Sequence, residues 1–135
     1  MNDVSTLTPI QIRFSDIDVM GHVNNAVYLS YFELARMHFF KELIGEKWDW
    51  NKLGILLARN EVNYRLPILL NDDVHIKTWC TSIGNSSMTV EYEVFKSVKG
   101  EQVVVTTGAS VLVCFDYISQ SKIPVPEIWK AKLIG

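Results

Sequence analysis

Two carboxylates and an imidazole, Asp16, Asp18 and His22, fall within one short polar turn, and two amides, Asn24 and Asn25, follow at once. A carboxylate can attack a carbonyl carbon directly or take a proton from water. A histidine, with a pKa near neutrality, can donate, accept or shuttle that proton. Such chemistry also needs a place for negative charge developing on oxygen. A helix start supplies one, because its first backbone N–H groups are unpaired and sit at the positive end of the helix dipole. Asp18, a few residues before such a start, is the candidate nucleophile or general base. His22 can assist it or can simply bond the loop backbone. Asp16 reads as structural, an Asx-turn ligand for the same loop. Gly21 either supplies a backbone shape that other residues resist or opens room for substrate. Asn24 and Asn25 can cap the helix or bond substrate, with capping the stronger expectation for Asn24.

The elements that would position these groups follow from periodicity. Ile10, Ile12 and Phe14 alternate with polar residues, which predicts a first strand over 10–14. Residues 1–8 are polar and expected to be loose. From Asn24 to Leu43 the chain reads as a helix of ~20 residues and ~30 Å, apolar around most of its circumference, so something should wrap around it. Gly45 should cap its end, and 48–53 is either a short helix or an aromatic-rich loop. Strands are expected over 56–66, 74–83, 88–96 and 102–115, with turns at Asn71-Asp72-Asp73, Gly84-Asn85-Ser86 and Lys99-Gly100. A short helix over 127–133 closes the chain. One strand, one long helix and then a four-stranded meander predict an α+β fold with an antiparallel sheet of about five strands around a single central helix.

The bulk numbers narrow the function classes. The 135 residues fit one domain, 1–135, and a net charge of -2 gives no support for a nucleic-acid partner. Cys80 and Cys114 sit inside apolar runs without metal-ligand spacing and read as two buried, reduced thiols. There is no basic-then-apolar leader and no run approaching ~18 apolar residues, so the expected compartment is the cytoplasm and no membrane partner is expected.

The run Phe14-Ser15-Asp16-Ile17-Asp18, Gly21-His22-Val23-Asn24-Asn25, Tyr28-Leu29-Ser30-Tyr31-Phe32-Glu33-Leu34-Ala35-Arg36 resembles the hotdog-fold acyl-CoA thioesterases of the 4-hydroxybenzoyl-CoA thioesterase type. Tyr64-Arg65-Leu66-Pro67, Asp72-Asp73 and 82–87 look like the same family's strand ends and turns. The resemblance covers roughly residues 10–115. It implies a hotdog fold, with Asp18 as the catalytic carboxylate and the backbone N–H of Asn25 polarising the thioester carbonyl. It also implies sites built between two subunits, hence a homodimer or homotetramer. The Gly-His-Val-Asn-Asn wording is similar to the branch that includes plant acyl-carrier-protein thioesterases, in which the turn histidine takes part in catalysis. That branch commonly has an asparagine where this chain has Met20, a side chain that cannot orient a water.

With that resemblance in place, further residues acquire expected roles. Tyr28, one turn below Asn24, can face an acyl pocket. Ser86 and Ser87 can hold pantetheine or phosphate, or merely form a hairpin turn. Glu33 is too far along the helix to share an oxyanion site at its start and should pair with Arg36. Arg59, Arg65, Lys77 and Lys96 are candidates for the nucleotide phosphates. No metal or bound cofactor is implied; CoA enters as part of the substrate. The expected reaction is hydrolysis of an acyl-CoA, or acyl-carrier-protein, thioester. A hotdog hydratase or dehydratase would act on the acyl chain and release no thiol, and a non-catalytic acyl-thioester binder would show no turnover. Edge strands need partners, and Gln102–Phe115, rich in valine, is the expected pairing edge, with partner contacts over Asn60–Tyr64.

Overall fold

A computed structural model describes residues 4–134. Strand β1 (Ser5–Ile10) leads through a single 3-10 turn (Phe14–Asp16) and a loop into helix α1 (Val27–Leu43). Strands β2 (Leu53–Tyr64), β3 (Val74–Ile83), β4 (Ser87–Val98) and β5 (Glu101–Asp116) follow, then a two-residue strand β6 (Ser121–Lys122) and helix α2 (Glu127–Leu133). The sheet is antiparallel, in the order β1-β3-β4-β5-β2, with β6 added on β5. This is the expected α+β architecture, with α1 laid against one face of the sheet.

The first strand lies earlier than the alternation predicted. Residues 5–8, expected to be loose, belong to β1, and 11–14 lies outside any strand. Residues 1–3 of that expected loose segment lie outside the described residues. The inward positions of β1 are held by Thr8 and Ile10, while Leu7 faces outward, so its hydropathy pattern is inverted. Pro9 is tolerated because β1 is an edge strand. The meander is also corrected. Only β3, β4 and β5 are consecutive neighbours; β2 crosses to the far side and pairs with β5. Strand β5 is therefore interior, and the free edges are β1 and β2. A bulge at Ala58 interrupts the β2–β5 register between Leu57 and Arg59.

Helix α1 is buried on one stripe only. Tyr28, Tyr31, Phe32, Ala35, Arg36, Phe39 and Phe40 are buried, at the three- and four-residue spacing of a single helix face. Leu29, Leu34 and Met37 on the other side are exposed, so within one chain the sheet does not wrap the helix all round. The buried stripe meets alternate residues of the sheet: Val74, Ile76 and Thr78; Val90, Tyr92 and Val94; Thr106, Gly108 and Ser110. Phe32 stacks flat on Tyr92 with ring centroids 4.2 Å apart, above Gly108, where a built Cβ would lie 2.5 Å from the Phe32 ring. Gly45 ends the helix as expected, with φ +100° and its N–H on the Phe40 carbonyl. Residues 48–52 form turns rather than a helix, and Trp48 and Trp50 pack against Trp129 of α2.

Cys80 and Cys114 are buried free thiols, and burial pushes both pKa values up to about 11. Among the described residues no helix is long and apolar enough to cross a membrane.

Candidate active site

The loop between the 3-10 turn and α1 is closed at both ends by backbone bonds. Asp18 N–H donates to the His22 carbonyl at 2.9 Å, and Ile17 bridges to Val23. Inside this loop the Asp18 carbonyl accepts Gly21 N–H at 3.0 Å, and Gly21 adopts φ +82°. That left-handed conformation is one a side chain would resist, although a Cβ there would touch nothing. The Asp18 carboxylate turns inward over the loop. Its Oδ1 accepts the N–H of Met20 at 2.9 Å and that of His22 at 3.4 Å. Its Oδ2 has no hydrogen bond among the described residues. One oxygen is thus held by the loop backbone, and the other is left without a partner among the described residues. His22 meets Asp18 through its main chain; its imidazole makes no hydrogen bond or ion pair among the described residues.

Asp16 has a different environment. It is 2% exposed, and its carboxylate accepts the Tyr31 hydroxyl at 2.7 Å, the Arg13 N–H at 3.0 Å and the Arg13 guanidinium at 3.2 Å. Burial by itself raises the pKa of this carboxyl, but the hydrogen bonds from Arg13 and Tyr31 outweigh it and hold the group below the usual carboxylate range. Burial and the neighbouring Asp16 push the Tyr31 hydroxyl the other way, well above its ordinary pKa. Asp16 is structural, as its sequence context suggested. Its partner, Tyr31 on the buried stripe of α1, was not visible from the loop alone. The Asp16 carbonyl also accepts Asn24 N–H at 2.9 Å, so one residue ties the loop to the helix twice.

The helix begins three residues later than its apolar pattern suggested, because 24–26 form the turn that enters it. Asn24 serves this turn with both its oxygens. Its Oδ1 accepts Ala26 N–H at 2.9 Å and its carbonyl accepts Val27 N–H at 2.9 Å. The Val23 N–H bonds the Ile68 carbonyl at 2.8 Å. Val23, Asn24, Ala26 and Val27 therefore all have acceptors, whereas the Asn25 N–H has none among the described residues. Asn25 is exposed, and its carbonyl accepts the Tyr64 hydroxyl at 2.7 Å. The Tyr64 ring also meets Tyr28 edge to face, centroids 4.9 Å apart. Tyr28 itself is buried against Tyr31 and Tyr64 instead of facing open space.

Other expected residues lie elsewhere. Ser86 lies in the β3–β4 turn and Ser87 opens β4; the Ser86 carbonyl accepts Cys114 N–H. Ser87 is level with Val113, whereas Tyr64 is level with Thr106, so the two rows are about 24 Å apart along β5. Within one chain the serines do not meet Asp18. Glu33 is exposed and lies 3.9 Å from Arg36, the expected pair. Among the basic candidates, Lys96 is committed to Asp72 at 3.0 Å and Lys77 lies over the Trp79 ring. Arg59 lies 3.9 Å from Glu61, while the Arg65 side chain has no ion pair or hydrogen bond among the described residues. A cleft of about 350 Å³ beside the first turns of α1 is lined by Gln11, Arg13, Ser30, Tyr31, Glu33 and Leu34. No group of three or more His, Cys, Asp or Glu among the described residues is arranged to hold a metal ion.

Comparison with known proteins identifies the family. Residues 12–133 match the family model of the thioesterase-like superfamily. The long-chain acyl-CoA thioesterase FadM of Escherichia coli is 26% identical over 127 residues, spanning 93% of this chain and 95% of that protein. A thioesterase from Thermus thermophilus, solved with coenzyme A and zinc, superposes with a TM-score of 0.80 at 36% identity, over 96% of this chain and 97% of that one. A predicted thioesterase from Bacillus stearothermophilus superposes with a TM-score of 0.83 at 30% identity, over 96% and 93% of the two chains.

Proposed function

The chain belongs to the thioesterase-like superfamily, and we propose that it hydrolyses acyl-CoA thioesters to free acid and thiol, with Asp18 as the reacting carboxylate. The observation that carries this reading is the pairing of two unspent groups beside one helix start. Asp18 has a held carboxylate with a free oxygen, and Asn25 has an N–H with no acceptor among the described residues. In the water route Asp18 takes a proton from water, and the hydroxide adds to the thioester carbonyl. The oxyanion so formed accepts the Asn25 N–H; the C–S bond then breaks, and the departing thiolate takes up the proton. In the nucleophilic route Asp18 displaces the thiolate, giving a mixed anhydride that water cleaves. Either route uses the same two groups, and one oxyanion donor is commonly worth 10²–10³ in kcat. Neither route requires a metal or a bound cofactor. His22, whose imidazole has no hydrogen bond or ion pair among the described residues, relays the proton from Asp18 to the departing thiolate.

The functional unit in this reading is a homodimer, open to further assembly into a tetramer. Strand β2 presents a free edge, and α1 leaves Leu29, Leu34 and Met37 uncovered. Antiparallel pairing of two β2 edges centred near Asn60 sets the Leu56 row of one chain against the Tyr64 row of the other. Leu56 is level with Val113, and Val113 with Ser87. The partner's serine turn then comes to the level of this chain's helix start, which supports a pantetheine role for Ser86 and Ser87 across the interface. Gly21, exposed at the loop, and Asn24 line the approach to the carbonyl.

The test is thiol release from a panel of acyl-CoA and acyl-carrier-protein thioesters by wild type and Asp18→Asn. Asparagine keeps the Oδ1 acceptor for Met20 and His22, so the fold should be retained. We expect kcat to fall by about 10²–10⁴, the usual worth of a positioned acid–base group. Undiminished thiol release by a well-folded Asp18→Asn variant would remove Asp18 from the reaction. Wild-type turnover of an enoyl or 3-hydroxyacyl thioester without thiol release would make the protein a hydratase or dehydratase.

A further inference from the structure

We infer that Tyr64 is a positioning residue for the oxyanion site, holding the turn before α1 so that the Asn25 N–H faces the substrate. The inference rests on the thioesterase reading given above. Tyr64 ends β2, and it comes to the helix start from 39 positions away in the chain. Although 46% exposed, it gives its hydroxyl to the Asn25 carbonyl at 2.7 Å and does not leave it to solvent. Burial raises its pKa, so the group stays protonated and stays a donor through the working pH range.

The peptide group joining Asn25 to Ala26 is thereby gripped at both ends. Its carbonyl oxygen accepts from Tyr64, and its N–H donates to the Asn24 side chain at 2.9 Å. The preceding peptide group has its carbonyl bonded to Val27 N–H, while its own N–H, that of Asn25, has no acceptor among the described residues. Without Tyr64 the Asn25 carbonyl has no bond among the described residues, and the turn can rotate about the bonds flanking Asn25. The free N–H then no longer holds one direction. An electrostatic site of this kind works because its donors are already aimed, with no reorganisation during the reaction. The edge-to-face contact with buried Tyr28 holds the Tyr64 ring itself in place.

The test is Tyr64→Phe in the full chain, assayed on the acyl-CoA that wild type turns over best, with Asp18→Asn run in parallel. Phenylalanine keeps the ring contact with Tyr28 and removes only the hydroxyl. The expected result is a kcat lower by about 10–10²-fold, with KM changed by less than about twofold. Binding of a thioether analogue of the substrate, which has no carbonyl to polarise, should be unchanged. Asn24→Ala loosens the other end of the same peptide group and should show the same split between kcat and KM. Wild-type kcat in Tyr64→Phe, or a lowered melting temperature with the kcat of the folded protein intact, would overturn the inference. If Asp18→Asn is inactive while Tyr64→Phe is not, the thioesterase reading stands and only the role of Tyr64 falls.

Discussion

Replacing Tyr31 by phenylalanine tests whether the Asp16–Tyr31 bond is what seats the loop before α1 on the helix. The substitution removes one oxygen from the buried stripe of α1 and keeps the ring. It takes from a carboxylate that is 2% exposed its 2.7 Å hydroxyl donor, leaving only the Arg13 donors. A hydrogen bond to a charged group contributes about 1.5–3 kcal/mol. For a domain of this length each kcal/mol moves the melting temperature by about 3–5 °C, so Tyr31→Phe should melt about 5–15 °C lower at pH 7. The pH dependence identifies the partner. The Asp16 pKa is lowered in the folded state, so its contribution is fully present above the unfolded value of about 3.9. It is lost as pH falls through the lower folded value. Tyr31→Phe removes one of the bonds that lower that pKa, so the deficit should be constant from pH 7 to about 5. It should narrow below about pH 4, as the carboxyl is protonated and the bond loses its charge-assisted part. Thermal denaturation followed by circular dichroism over that range, with Asp16→Asn and the double variant, completes the cycle. The double variant should melt close to Asp16→Asn. A deficit below about 2 °C at pH 7, or one that does not narrow in acid, would refute the assignment.

Two further substitutions probe the packing that carries the site. Gly108→Ala places a methyl group 2.5 Å from the Phe32 ring and 2.8 Å from the Glu61 carbonyl. It should cost about 1–3 kcal/mol by overpacking, read as a lower urea midpoint with an unchanged slope. Trp129→Ala empties the centre of the aromatic cluster of Trp48, Trp50 and Phe40. It should cost about 3–5 kcal/mol in the same titration, and loss of less than 1 kcal/mol would mean that α2 is not part of the cooperative unit.

What the sequence by itself determined was local. The strand Val74–Ile83 and the helix Glu127–Leu133 match their patterns to the residue, because alternation and turn residues act between near neighbours. The duty of Gly21 was legible for the same reason: a left-handed turn involves only the adjoining residues. Asn24 does not cap the helix as its position suggested; the N-cap is Ala26, and Asn24 bonds the turn before it. The motif around Asp18 also pointed to the family before any geometry. Tertiary structure decided what depends on contacts between distant segments. The threonines of β1 face inward because β1 docks on β3, a choice hydropathy does not encode. Strand β2 pairs with β5 across the sheet, and this removed the valine-rich β5 from the edge where its composition had suggested a partner. The exposure of Leu29, Leu34 and Met37 follows from which side of α1 the sheet takes, not from how apolar the helix is. Tyr31 on Asp16 and Tyr64 on Asn25 are hydrogen bonds across 15 and 39 positions. A hydroxyl finds such an acceptor only after strand register and helix placement have brought the two together, and propensities acting over a few residues carry no information about either.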